Sequence, residues 1–183
     1  MRCSYADSIM SLDIARKAAF LFGVLGGRVI FRLLAEHGYS DLALKMIIRE
    51  NPPSYGNIIC RGATALWEEF NNEDPPKGDE NHHFWGDISA WFYRYPGGIR
   101  PNPTGEDVDR MDIAPCFVSQ MNQVQAEYRM PAGWVRVCWH RQKAEILLHV
   151  EVPQPARGSI YLPEDWAFPD GSYRVIAKGM QNN

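Results

Sequence analysis

Apolar residues recur at helical spacing through the first half of the chain and at alternate positions through much of the second. Ile14, Ala18, Leu21 and Phe22 share one helical face, and Gly23 stops that run. Residues 29–37 predict a second helix, closed by Gly38 in the position that follows a helix end. Ser40 or Asp41 can cap a third, running to about Glu50 and ended by Pro52-Pro53. A fourth is predicted from near Arg61, with Ala63, Leu66, Trp67 and Phe70 on its inward face and Glu68 to the side. A fifth spans residues 83–95, with Phe84, Ile88, Trp91, Phe92 and Tyr95 as its apolar stripe and Trp85 facing away from it.

After PGGIRPNPTGED, a linker by composition, the period changes. Val135, Val137 and Trp139 alternate with Trp134, Arg136 and Cys138, and Ile146, Leu148, Val150 and Val152 alternate with Leu147, His149 and Glu151. Ile160 and Leu162 precede Pro163, and residues 171–175 read as a last strand. Short alternating segments between Gly/Pro turns predict a small antiparallel β-sandwich, filled by Trp134, Trp139 and Trp166 or packed through them on the helices. The expected organisation is α+β by segment: helices over residues 1–98, a linker over 99–111 and the sandwich over 112–183. Two or three helix pairs do not close on themselves as a full bundle does, so the helical part is expected to be a piece of something larger.

With 183 residues and 45% hydrophobic content, the chain can bury a real core. A net charge of -3 offers no general attraction to nucleic acid or to an anionic membrane. Cys3, Cys60, Cys116 and Cys138 are too scattered for a zinc ribbon or a disulfide framework and are expected to be reduced thiols. No apolar signal core opens the chain, and the apolar stretch at 18–34 is interrupted by Gly23, Gly26, Gly27, Arg28 and Arg32. As it stands, the sequence predicts a cytoplasmic protein without a membrane span.

The chemistry concentrates in residues 62–94, where GATALWEEF is followed by NHHFWGDISAWFYR. Carboxylate, imidazole and indole together suit a sugar-cleaving site: one handles a proton, polar groups hold hydroxyls, and flat rings pack on a pyranose. By spacing alone, Glu68 reads first as an ordinary solvated glutamate, and Trp67 and Trp91 as core residues, whereas Trp85 is the ring placed to line a pocket. Adjacent His82 and His83 diverge, and no third ligand is spaced to join them, so neither metal nor cofactor is expected.

CRGATALWEEF, NHHFWGDISAWFYRYPGGI and the later IAP, GWVRVCW, LLHVEVP and IYLP resemble, in order, the C-terminal part of bacterial α-L-rhamnosidases. These are inverting glycoside hydrolases with an (α/α)6 catalytic barrel, and the stretch at 23–56 resembles the last helices of that barrel. The resemblance implies a partial (α/α)6 barrel followed by the C-terminal β-sandwich. It implies that Glu68 is the general base that activates water and that His82 contacts the rhamnose of a rhamnose-containing glycoside. Asn81 and Trp67 keep their motif places, Tyr55-Gly56 stands where the family often has Trp-Gly, and His83 stands where it usually has tyrosine. The loop from Glu68 to Asn81 is shorter than usual. The family's general acid and sugar-binding aspartates lie on earlier helices, which this sequence does not contain. Inversion needs two carboxyl groups roughly 6.5–9.5 Å apart, so the chain is expected to be inactive alone and to need the missing barrel half or a second copy. The other expectation is a non-catalytic carbohydrate-binding or structural module.

Overall fold

In a computed structural model of the chain, residues 23–70, 78–101, 107 and 109–167 are described. The helix expected through Ile14 and Phe22 and the strand expected at 171–175 lie outside them. The chain divides into two compact units, Met1–Trp91 and Phe92–Asn183.

In the first unit, α1 spans Gly23–Glu36 and α2 spans Ser40–Ile48. Their junction is closed as expected by Gly38, in left-handed backbone at φ +84°. The Gly38 amide donates to the Ala35 carbonyl and the Tyr39 amide to that of Leu34, the two hydrogen bonds that close a glycine-terminated helix. Tyr39 occupies the α2 cap position without a side-chain cap bond. Ser40, expected as the cap, is instead the first helical residue, and its buried hydroxyl has no hydrogen-bond partner among the described residues. Phe31, Leu34 and Ala35 of α1 and Ala43, Leu44, Met46 and Ile47 of α2 form the buried faces.

A short helix that the apolar spacing does not announce, α3, spans Tyr55–Cys60. Ser54 caps it: its Oγ accepts from the Asn57 amide at 3.0 Å and donates to the Arg49 carbonyl. The helix expected from Arg61 does not form. Gly62, at φ +88°, ends α3, with its amide donating to the Ile59 carbonyl and that of Ala63 to Ile58. The glycine that seemed to open a helix therefore closes one. Residues 63–70 are irregular, and Trp67 and Phe70 are buried from this irregular backbone rather than from one helical face.

The fifth expected helix begins as a single 3-10 turn, His83–Gly86, and continues as α4, Asp87–Arg94. The tighter turn rotates its side chains relative to α-helical spacing. Trp85 is buried and Phe84 is half-exposed, the reverse of the expected arrangement. Trp91 is 1% exposed and donates its indole N–H to the Phe31 carbonyl of α1 at 2.9 Å.

The second unit carries two antiparallel sheets. One pairs β1 (Ile99–Pro101) with β2 (Met111–Ile113), so both ends of the stretch expected as a linker are strand. The other orders β3 (Gln123–Met130), β4 (Gly133–Gln142) and β5 (Glu145–Glu151). Ile99, Met111 and Ile113 of the first sheet share a core with Ala126, Met130, Val135 and Val137 of the second. Leu148, Val150 and Val152 pack against it, as the alternation predicts. Trp139 lies on the inward side of β4 and donates to the Pro96 carbonyl at 2.8 Å. Trp134, expected inside the sandwich, sits on the outward side, 46% exposed, with the Arg129 guanidinium 5.8 Å from its ring centre. Beyond β5, Ile160 forms a parallel bridge to Ile113. The architecture is α+β, with helices first and a small two-sheet β-domain after them.

Candidate functional site

Glu68 lies on an irregular segment tied to residues 79–82 by backbone hydrogen bonds. The Glu68 amide donates to the Asp79 carbonyl at 2.7 Å, and the His82 amide donates to the Leu66 carbonyl at 2.6 Å. In place of the expected helix, these two bonds join the segment that carries Glu68 to the one that carries Asn81 and His82. The Glu68 carboxylate is exposed, and its Oε2 accepts from the Asp79 amide at 3.0 Å. The neighbouring Glu69 is also exposed.

The other side of the Glu68 peptide is fixed from below. Trp85 donates its indole N–H to the Glu68 carbonyl at 3.1 Å, and the Tyr55 hydroxyl donates to the Trp85 carbonyl at 3.0 Å. Tyr55, Phe70 and Trp85 stack edge to face, with ring centres 5.1 and 4.8 Å apart. Such pairs add about 0.5–1.5 kcal/mol beyond burial. Trp85 also lies close against α1, where a Cβ on Gly27 would stand 2.6 Å from its ring. Burial, reinforced by the nearby Asp87 carboxylate, holds the Tyr55 phenol well above its usual pKa, so it is a permanent donor.

Trp67, 8% exposed, lies beneath the Arg61 guanidinium, 5.1 Å from the ring centre. Tyr55, Trp67 and Trp85 are thus packed residues. At the surface stand Asn81, half-buried His82, and His83 with Phe84. The Phe84 ring lies 5.2 Å from that of His82 and 4.4 Å from that of His83. Phe84 is the exposed ring that helical spacing had assigned to the core. Among the described residues, no three His, Cys, Asp or Glu side chains gather as a metal site requires.

The family model of the bacterial α-L-rhamnosidase 6 hairpin glycosidase domain matches residues 7–95, and that of the bacterial α-L-rhamnosidase C-terminal domain matches 98–167. The chain belongs to the bacterial α-L-rhamnosidase family. An α-L-rhamnosidase of Formosa agariphila is 30% identical over 78% of this chain, and one of Streptomyces avermitilis is 24% identical over 90%. The chain spans only 16% of the length of each of these curated relatives. The solved α-L-rhamnosidase from Dictyoglumus thermophilum superposes on 79% of this chain with a TM-score of 0.71 and 28% identity. The Streptomyces avermitilis enzyme complexed with L-rhamnose shares the fold, with a TM-score of 0.69 over 79% of the chain. Membership of the rhamnosidase family makes this a glycoside-hydrolase-like region, in which the joined segments that carry Glu68 and His82 are the candidate site. No helix among the described residues is long and apolar enough to cross a membrane.

Proposed function

We propose that this chain contributes the water-activating carboxylate to the hydrolysis of terminal α-L-rhamnose from glycosides, with inversion at the anomeric carbon. The observation that carries the proposal is the exposed Glu68 carboxylate, held by the Asp79 amide in a segment that is hydrogen-bonded through Leu66 to His82. A general base must be open to water and yet held in one orientation. Glu68 takes a proton from water as the water oxygen bonds to the anomeric carbon. The glycosidic bond breaks, and a second carboxyl group protonates the leaving oxygen. Asn81 and His82 contact the sugar hydroxyls, while Tyr55, Trp67 and Trp85 hold the Glu68 segment from within.

The acid belongs to another part of the barrel, on the same polypeptide or on another chain. Leu25, Val29 and Leu33 support this, because they form an exposed apolar stripe along α1 with 78, 51 and 44% exposure. Apolar stripes of this kind mark surfaces that pack on other elements. The 183 residues alone are therefore inactive. General acid catalysis contributes about 10²–10⁴-fold, and the positioning supplied by the rest of the barrel is lost as well. The test is hydrolysis of an aryl α-L-rhamnoside by the purified chain, with and without the remaining barrel, for wild type and Glu68→Gln. Turnover by the isolated chain at ordinary enzyme rates sinks the inactivity. Full activity of Glu68→Gln in the complete barrel sinks the assignment of the base.

The same stripe favours a second reading, a non-catalytic module that docks through α1 on a partner or a second copy. Light scattering on the purified chain separates them from a free-standing fold: a clean monomer counts against docking between copies.

A further inference from the structure

We propose that the Gly78-Asp79 peptide is a positioning group that grips the Glu68 side chain; the proposal rests on Glu68 acting as the base. Three bonds converge on this one residue. Its amide donates to the Asp79 carbonyl, its carbonyl accepts from the Trp85 indole, and its Oε2 accepts from the Asp79 amide. Asp79 thus both accepts from and donates to Glu68, its carbonyl meeting the Glu68 amide and its own amide meeting the carboxylate. The Asp79 carboxylate in turn accepts from the Asn81 amide at 2.9 Å, which shapes the turn leading to His82.

Gly78 makes this closure possible in two ways. Its φ of +85° lies in the left-handed region that side chains rarely adopt. A Cβ there would also stand 2.8 Å from Glu68 Oε2 and 3.4 Å from its Cβ. The missing side chain is therefore the space the carboxylate occupies. With Oε2 committed to the Asp79 amide, Oε1 is the oxygen left to receive the proton from water. A base held by a backbone donor is kept in one orientation for the reaction, which is what positioning contributes to rate. No side chain is needed for the grip, so it appears in the sequence only as a glycine in a polar loop.

The first experiment follows amide hydrogen exchange of Asp79 by NMR in the 183-residue chain. In Glu68→Ala the Asp79 amide exchanges at least about tenfold faster than in wild type, a loss of roughly 1.4 kcal/mol of protection. In Glu68→Gln, whose side-chain oxygen still accepts, most of the protection stays. Equal exchange in all three proteins overturns the grip. The second experiment places Gly78→Ala in the complete barrel. The expected result is a kcat lowered at least tenfold with KM within twofold; an unchanged kcat, or a change confined to KM, overturns the positioning role. Global unfolding of Gly78→Ala is recognised by circular dichroism, and the exchange measurement on the Glu68 variants then decides the question. If Asp79 exchange responds to Glu68 but Glu68→Gln keeps full activity, the base assignment fails, and the positioning role falls with it. If Glu68→Gln is inactive but Asp79 exchange does not respond, the grip fails and the base stands.

Discussion

Trp85 donates its indole N–H to the backbone carbonyl of Glu68 at 3.1 Å, so a ring only 5% exposed anchors the peptide that bears the proposed base. This bond joins the aromatic core to the exposed segment that carries Glu68. Trp85→Phe keeps a ring against Phe70 but removes the donor. It is expected to cost about 1–2 kcal/mol, whereas Trp85→Ala, which also leaves a cavity, costs about 3–5 kcal/mol. Urea unfolding of the two variants measures both. A Trp85→Phe protein as stable as wild type would mean that the bond contributes nothing.

Phe84 carries the opposite expectation. It is 51% exposed between His82 and His83, so Phe84→Ala should change stability by no more than about 0.5 kcal/mol. If the ring meets the sugar, the same substitution weakens rhamnose binding in the complete barrel by about 1 kcal/mol, roughly fivefold in Kd. Calorimetric titration with L-rhamnose reads the loss. Unchanged affinity would leave Phe84 as a surface ring beside the site.

These two neighbours show where the sequence was legible and where it was not. Alternation along β4 and β5 placed Val135, Val137 and Trp139 inward because strand side chains have a fixed period of two, which needs only local backbone geometry. Gly38 was legible for the same reason, since a left-handed helix end favours glycine whatever surrounds it. Residues 63–70 were not. Ala63, Leu66, Trp67 and Phe70 fit a helical stripe, but the Ala63 amide turns back to Ile58, the Leu66 carbonyl takes the His82 amide, and Phe70 packs on Tyr55 and Trp85; spacing carries no record of such contacts across a loop. The 3-10 turn at His83–Gly86 likewise exchanged the surroundings of Phe84 and Trp85 by a small rotation. The short helix Tyr55–Cys60 did leave one signal, Ser54 ahead of it as a cap. The motif order identified the family, while the backbone grip on Glu68 needed coordinates.

Tyr55 predicts an alkaline instability. Its hydroxyl is buried and donates to the Trp85 carbonyl, and burial with the Asp87 carboxylate keeps it protonated well above the ordinary phenol range. Unfolded tyrosine ionises near pH 10. Below that pH both states hold the proton, and the stabilisation is fully present. Above it the unfolded chain ionises while the folded one does not, so this group costs up to about 1.4 kcal/mol of stability per pH unit. Tyr55→Phe forfeits the hydrogen bond, about 1 kcal/mol at neutral pH, but removes this titration. The stability advantage of wild type over Tyr55→Phe should therefore shrink between pH 7 and about pH 11. Urea midpoints for both proteins at the two pH values test this. A constant difference would place the alkaline sensitivity elsewhere.

The two tryptophans of β4 test the sheet in the second unit. Trp139 is fully buried and its indole N–H meets the Pro96 carbonyl, whereas Trp134 stands outward against Arg129. Trp139→Ala removes a large ring from the interior and leaves a buried carbonyl without its donor, so it should cost about 3–5 kcal/mol. Trp134→Ala gives up only an exposed cation–π contact, and should cost less than about 1 kcal/mol. Both residues are aromatic, and they stand on the same strand five positions apart, so the difference between them reports which face of β4 is covered. Comparable losses for the two would mean that another element covers the outward face. In that case intrinsic fluorescence quenching by acrylamide would show Trp134 as protected as Trp139, rather than open to the quencher as its 46% exposure requires.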